Sequence, residues 1–177
     1  MPNLNSQLKI IVGGTSKIPG WTSINADPST KPDILSDVTI LSGVKPNSVS
    51  IFYLSHVFEH IKLPHVLQTL SKIYEALVSE GELYISVPDL SVLNKLLHDN
   101  DLDINQKIHV LRMIYGGQVS EYDYHYFGYT FEILQTFLVA SRFKNIRKVK
   151  YFHLHEDTSS FTPYKGLPIS LNVICSK

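Results

Sequence analysis

The chain has 177 residues, of which 44% are hydrophobic, and its 16 Lys and Arg balance 16 Asp and Glu. This apolar content suffices for one globular core, so we expect a single domain over residues 1–177. Because no basic stripe follows the chain, the charge pattern argues against nucleic acid as the main partner and favours a small substrate.

No apolar run reaches the roughly 20 residues of a membrane helix, and the first residues lack the apolar core of a signal peptide. The single cysteine, Cys175, can form no internal disulfide, and its alternating apolar surroundings predict that it packs as a small hydrophobe. We therefore expect a cytoplasmic protein that is not associated with a membrane.

Short apolar runs open the predicted sheet. The run Leu8–Val12 is stopped by Gly13-Gly14, and the run 49–54 is stopped by the hexapeptide SHVFEH, residues 55–60. Both runs are typical of buried parallel strands.

The N-terminal third has little room for helices. Between the first run and a plausible strand at Thr22–Asn25 there are too few residues for a crossover helix, and the same holds for ADPSTKPD, residues 26–33. We expect this half of the sheet to be covered either by close packing of the long helices or by a second subunit in a homodimer.

The middle of the chain predicts a strand, helix, strand unit. Apolar residues recur with helical period after Pro64, which suits a first helical turn, and Gly81 closes the run: Val66, Leu67, Leu70, Ile73, Tyr74 and Leu77. Residues 83–87 follow as a strand that ends at Pro88-Asp89. A parallel unit of this kind indicates an α/β fold.

The second half predicts three more helices and two strands. The helices are Leu90–Leu97, Ile104–Tyr115 with Ile104, Ile108 and Leu111 on one face, and 131–141 with Thr130 as N-cap and Leu134, Phe137 and Leu138 buried. The strands are 146–152 and 169–175, and their alternation is typical of an antiparallel pair.

The hexapeptide SHVFEH contains the H-x-x-E-H pattern of the inverted zinc peptidases through His56, Glu59 and His60. Those enzymes carry the pattern within a long helix, whereas here one turn separates the end of a strand from Pro64. Glu132 has the spacing of a third ligand, but the rest of that architecture is missing. We predict no metal and keep a zinc hydrolase using His56 and His60 as a remote alternative.

Candidate site residues follow the predicted strands. Ligands of an α/β sheet bind at the carboxyl ends of its strands, where SHVFEH, Gly13-Gly14, Asp27 and Pro88-Asp89 all lie. We expect these residues to converge on one crevice.

Six segments occur in an order that resembles the class I S-adenosylmethionine-dependent methyltransferases: IIVGGTSKIPGW, NADP, DILSDVTIL, SVSIFYLSHVFEHI, YEALVSEGELYISVPD and DYHYFGYTFEILQTFLVASRFKNI. They are similar in particular to a compact bacterial branch that reads S-H-V-L-E-H in the fourth segment. The resemblance covers nearly the whole chain. It implies a three-layer Rossmann-like sheet of seven strands, mostly parallel with an antiparallel last strand.

The resemblance also implies site residues. The cofactor S-adenosylmethionine would be bound by Gly13, Gly14, Thr15, Asp27, Asp37, Ser55 and His56, with Asp27 on the ribose hydroxyls and Asp37 near the adenine. His125, with His60, would face a small or carbohydrate-like O or N acceptor, and an imidazole there can take its proton.

Plainer interpretations stay open for each residue. Gly13-Gly14 and Asp27 also suit plain turns, Asp37 a surface acid, and His56 and His60 structural histidines. The tyrosines of 122–129 are more often core than pocket. The family's glycine loop reads G-x-G, whereas Thr15 stands in its third position, so a non-catalytic binding module on the same fold is the alternative function.

Overall fold

The computed structural model describes residues 8–14, 17–154 and 157–177. They form a seven-stranded sheet in the order β3-β2-β1-β4-β5-β7-β6. The strands are β1 Leu8–Val12, β2 Thr22–Asn25, β3 Ile34–Leu35, β4 Val49–Ser55, β5 Leu77–Pro88, β6 Lys144–Val149 and β7 Ser170–Ser176. The helices are α1 Val66–Ala76, α2 Leu90–Leu97, α3 Ile104–Tyr115 and α4 Phe131–Ala140.

The strand directions confirm the predicted fold class. Strands β1 to β5 pair in parallel, and β7 runs antiparallel to both β5 and β6. The predicted α/β sheet, mostly parallel and with an antiparallel last strand, is therefore correct. The carboxyl ends of β1 to β5 meet at one edge, where ligands of such sheets bind.

Each face of the sheet is covered differently. Ile10 and Val12 belong to the main core, which includes side chains of α1, α4 and the segment 38–41. Ile11 lies on the opposite face in a smaller cluster with Trp21 and Phe152. This division follows from the period of two along a strand. The N-terminal half is thus covered within one chain, and the homodimer stays a prediction.

Several predicted boundaries are wrong. The helix after Pro64 ends at Ala76, because Leu77 pairs with Val49 and already belongs to β5. Glu80 then has a positive φ of 62°, and the regular pairing of β5 with β4 resumes at Glu82. The pattern of apolar residues does not predict this irregular start of the strand. Strand β6 covers Lys144–Val149 instead of the predicted 146–152, and β7 covers Ser170–Ser176 instead of 169–175. Helix α4 ends one residue earlier than predicted.

The predicted N-cap of α4 and the predicted packing of Cys175 are confirmed, and of the three α4 residues expected to be buried, Leu134 and Leu138 are buried and Phe137 is half-buried. The Thr130 side chain accepts a hydrogen bond from the Ile133 N–H and caps α4. Cys175 is buried, and burial raises the pKa of its thiol. Among the described residues, no helix is both long and apolar enough to cross a membrane.

The face of α3 that carries the apolar residues is exposed. Ile104 is 70% and Ile108 is 50% exposed, and Val110 is the buried residue of this helix. The spacing of the apolar residues therefore predicts that α3 is a helix, but it does not predict which face of the helix is buried.

Candidate functional site

A cleft of about 560 Å³ opens at the carboxyl ends of β1, β2 and β4. This volume lies in the middle of the range found for small-molecule sites. Its wall is formed by Gly13, Asn25, Ala26, Asp27, Thr30, Asp37, Val38, Thr39, His56, Val57, His60, Ile61, Lys62, His65, Glu121, Tyr122, Tyr124 and Tyr126. Three of the four predicted strand ends therefore converge here, those after β1, β2 and β4, and residues that follow β3 join them.

Gly13 is held in the cleft wall by its backbone. Its φ is +74°, and its N–H donates a hydrogen bond to the Ile24 carbonyl at 2.8 Å. A Cβ at this position would overlap the Val57 side chain. Glycine is thus required by the close approach of SHVFEH to the β1 turn, whatever the ligand.

The other glycine-loop residues contribute less to the wall. Gly14 has an ordinary φ, packs on Ile11 and is absent from the described cleft lining, although its carbonyl accepts a hydrogen bond from Asn25 Nδ2 at 3.3 Å. Thr15 lies outside the described residues.

Both predicted acids line the cleft, and both also form local turns. Asp27 Oδ1 accepts a hydrogen bond from the Ser29 N–H at 2.8 Å, and hydrogen bonding to Ser29 lowers the pKa of this carboxyl. Asp37 Oδ1 accepts from the Thr39 N–H and hydroxyl at 2.7 and 2.6 Å. In each carboxylate the described hydrogen bonds use Oδ1, which leaves Oδ2 available for a ligand.

Two cofactor-binding residues were predicted at the end of β4, Ser55 and His56, and only His56 lines the cleft. Ser55 points to the face of the sheet that holds Tyr53 and Asp157, and it is not part of the cleft wall. His56 is in the wall with a φ of +53°, which is unusual for a residue other than glycine.

The His56 side chain spans two partners. Its Nε2 lies 2.9 Å from Ser170 Oγ, and its Nδ1 lies 3.2 Å from Glu59 Oε1. The Ser170 hydroxyl donates to the Thr158 carbonyl at 3.0 Å, so it accepts a hydrogen bond from the His56 Nε2–H.

Glu59, His60 and His125 form a compact group behind the wall, which we call the Glu-His-His cluster. The rings of His60 and His125 pack edge to face with centroids 4.7 Å apart, and His125 Nε2 lies 3.9 Å from Glu59 Oε1. One potential ligand atom from each of the three side chains lies within 4.8 Å of the others. His60 belongs to the cleft wall, and His125 lies deeper.

Burial and charge oppose each other in this cluster. Glu59 is 1% exposed, and burial alone would raise the pKa of its carboxyl, but His56, His60 and His125 together hold that pKa below its usual range. Burial lowers the pKa of His125, and the nearby Glu59 only partly opposes this shift. At neutral pH the cluster therefore contains a carboxylate and a neutral His125.

The segment 121–126 forms the outer rim of the cleft. Tyr122, Tyr124 and Tyr126 are each between 42% and 49% exposed, and Lys62 Nζ lies 5.3 Å above the Tyr126 ring. Tyr129, in contrast, is fully buried in the main core. The first part of the aromatic run 122–129 thus lines the cleft, and its last part packs in the core.

One expectation about the crevice is wrong. Pro88 lines a separate small cavity with Glu59 and His125, and Asp89 caps α2 and pairs with Lys148 Nζ at 2.9 Å, so neither reaches the cleft. Within the H-x-x-E-H pattern, His56 contacts both Glu59 and Ser170, while Glu59 and His60 lie beside His125 from a distant loop.

Sequence reasoning missed several residues of the wall: Asn25, Lys62, His65 and Glu121. The signal for Asn25 was its position as the last residue of a strand. Nothing in the local pattern distinguished the other three from a solvated loop.

Comparisons with known proteins extend these findings. No family model matches the chain, and no curated protein matches it. Solved structures do match its fold. A SAM dependent methyltransferase from Archaeoglobus fulgidus is similar with a TM-score of 0.60 and 15% identity, over 97% of this chain and 87% of the other.

Two further structures were determined with cofactor or product. The plantazolicin methyltransferase BamL, in complex with a triazolic desmethylPZN analog and SAH, has a TM-score of 0.62 and 14% identity, over 97% of this chain and 77% of its own. Human N-acetylserotonin methyltransferase, in complex with SAM, has a TM-score of 0.53 and 14% identity, and 97% of this chain matches 48% of it. The chain therefore has the fold of these methyltransferases.

Proposed function

We propose that this protein transfers a methyl group from S-adenosylmethionine (SAM) to a small acceptor. The observation that carries the proposal is the position of the cleft, at the carboxyl ends of β1, β2 and β4 in a sheet whose fold is shared with SAM-binding methyltransferases. The predicted cofactor residues Gly13, Asp27, Asp37 and His56 all lie in its wall.

The cofactor would occupy the end of the cleft next to β1 and β2. Asp27 has an available carboxylate oxygen and a lowered pKa, so it is ionised at neutral pH and suited to accept hydrogen bonds from ribose hydroxyls. Asp37 would lie near the adenine, and the backbone of Gly13 would lie near the amino-acid and sulfonium ends of the cofactor.

The acceptor would occupy the opposite end, between the tyrosine rim and His60. Ring faces of Tyr122, Tyr124 and Tyr126 beside the charges of Glu121 and Lys62 suit a hydroxylated, carbohydrate-like molecule with both apolar and polar faces. We expect a cytoplasmic protein and an acceptor that is neither nucleic acid nor membrane.

Methyl transfer requires that the acceptor atom is aligned with the methyl carbon and that the acceptor loses one proton. An acceptor oxygen or nitrogen lone pair forms the bond to the methyl carbon while the carbon–sulfur bond breaks, and the sulfonium becomes a neutral sulfide. The acceptor proton must leave, and we assign this step to His60 and His125, of which His60 is in the cleft wall and His125 lies behind it.

The alternative is a binding module on the same fold that has lost turnover. It is favoured by Thr15, which stands where the resembling family has glycine. The two functions differ in activity and share the cleft, so cofactor binding alone does not separate them.

The first test is a calorimetric titration of the metal-free protein with S-adenosylhomocysteine (SAH). We expect a one-to-one complex, and we expect Asp27→Ala to weaken it roughly ten- to hundredfold because charge-assisted hydrogen bonds to the ribose are lost. Asp101→Ala serves as the control, because this exposed acid pairs with Lys165 away from the cleft. Absence of binding by the unaltered protein would refute the proposal.

A further inference from the structure

The geometry points to a site for one divalent transition-metal cation, bound by Glu59, His60 and His125 at the inner end of the acceptor part of the cleft. The three residues come from two distant segments, the turn after β4 and the loop before α4. This set differs from the H-x-x-E-H pattern, because His125 replaces His56.

The spacing of the donor atoms suits one small ion. Metal–nitrogen and metal–oxygen bonds at zinc sites are about 2.0–2.2 Å long, so two ligand atoms lie about 3.3–3.6 Å apart around a tetrahedral ion and at most about 4.4 Å apart in any geometry. Glu59 Oε1 and His125 Nε2 are separated by 3.9 Å. All three donor atoms lie within 4.8 Å of one another, so small side-chain rotations bring them around one ion.

Hydrogen bonds orient both imidazoles for this role. His60 Nδ1 lies 3.0 Å from the Tyr124 carbonyl, and His125 Nδ1 lies 3.1 Å from the Met113 carbonyl. A carbonyl can only accept, so each neutral ring carries its proton on Nδ1 and has a lone pair on Nε2. Histidines that ligate metals are held in the same way, with the other ring N–H donated to a carbonyl.

The third donor is a buried carboxylate that lacks an aligned partner. Glu59 is 1% exposed, and neither of its oxygens accepts a well-directed hydrogen bond from the described residues. The nearest nitrogen is His56 Nδ1 at 3.2 Å, and the same ring is also held by a hydrogen bond from Nε2–H to Ser170. A buried carboxylate without an aligned hydrogen-bond donor calls for a cation.

The ligand set selects the kind of ion. Two imidazoles and one carboxylate suit zinc and the other late first-row divalent ions, whereas magnesium and calcium prefer oxygen ligands throughout. Three protein ligands leave a coordination position open, as in catalytic zinc sites. Because His60 is part of the cleft wall, the ion can enter from the cleft, and a bound acceptor can approach it.

The role of the ion rests on the proposed function. Bound next to the acceptor, the cation would draw electron density from an acceptor hydroxyl and favour its ionisation, and the proton would leave through the cleft to water. The acceptor oxygen would then attack the methyl carbon as described above. In the loaded protein the cation takes the place of the imidazoles as the activating group.

The test is titration of the chelator-treated, untagged protein with Zn²⁺, and with Co²⁺ followed by visible absorption. We expect one equivalent to bind, and we expect His60→Gln, His125→Gln and Glu59→Gln each to weaken binding at least tenfold. His65→Gln is the matched control, because His65 lines the same cleft outside the cluster and its loss should leave metal binding unchanged.

His60→Gln is the decisive variant, because His60 lies in the cleft wall whereas its two partners are buried more deeply. Circular dichroism checks that the variant is folded. No stoichiometric binding by the unaltered protein would overturn the inference. Equal affinity in His60→Gln and His65→Gln would mean adventitious binding by surface histidines, which also overturns it. The SAH titration is done without metal, so either proposal can fail alone.

Discussion

Gly13 shows how one residue serves both the fold and the site. It combines a positive φ with the contact to Val57, and it places the turn after β1 against the hexapeptide that carries His56 and His60. Any side chain there would push the two halves of the cleft wall apart. The requirement for glycine is therefore steric before it concerns a ligand.

Gly13→Ala should destabilise the protein by about 2 kcal/mol, because the new Cβ adopts a disfavoured φ and also overlaps Val57. Urea unfolding measures the difference. Gly20→Ala is the matched control, since Gly20 has a φ of +79° with nothing within 4 Å of its Cβ position, so only the backbone part of the cost remains. Equal losses in the two variants would show that Val57 moves aside freely.

The cleft residues that could be predicted from the sequence are those that closely follow a predicted strand. Gly13, Asp27 and His56 each follow an apolar run directly or within two residues, and all three line the cleft. His125 was found through the resemblance, but its depth behind His60 was not predicted. Its position depends on backbone contacts between distant segments, including the bond from the Tyr126 N–H to the Glu59 carbonyl at 2.9 Å. No local periodicity records such contacts.

Among the elements, the connection between β2 and β3 replaces a crossover helix by a hydrogen-bonded loop. Asp33 Oδ2 accepts from the Ser23 N–H at 2.9 Å and from the Ser23 hydroxyl at 2.8 Å, and the Asp33 N–H donates back to that hydroxyl. Hydrogen bonds from Ser23, with Lys17 adding a smaller effect, lower the pKa of Asp33 to about 2.

The loop should make part of the protein's stability depend on pH in the acid range. The pKa of Asp33 is lower in the folded state than its ordinary value of 3.8, so its contribution is complete above about pH 4 and is lost as the pH falls towards 2. Chemical unfolding of the unaltered protein and of Asp33→Asn across this range measures it. The stability difference between the two should shrink steadily below pH 4, and a constant difference would contradict the assignment.

Most elements were predictable from periodicity, and the errors lie where tertiary pairing overrides it. Leu77 continues the apolar spacing of α1, yet its pairing with Val49 places it in β5. Asn145 is polar and was left outside the predicted last-but-one strand, although it lies within β6 and its side chain bonds to Ser176 on β7. Strand pairing of this kind depends on a neighbour far away in sequence.

For the whole molecule, the fold class was predictable because order along the chain determines it. One parallel strand, helix, strand unit and a closing antiparallel pair are enough to indicate the α/β class, and the resemblance predicted the seven-stranded arrangement. The Glu-His-His cluster was not predictable, because it joins segments more than 60 residues apart through a loop without regular structure.

Binding of SAH to the cleft should raise the melting temperature of the whole domain. A ligand that binds only the folded state at 100 times its Kd adds about 2.7 kcal/mol of stability, which corresponds to roughly 5–10 °C for a domain of this size. At the same SAH concentration, a tenfold weaker Asp27→Ala complex should show about half of that shift, while Asp101→Ala should show all of it. Because the cleft wall joins the ends of three neighbouring strands, ligand binding couples to global unfolding. A calorimetric complex without any rise in melting temperature would place SAH outside the folded cleft.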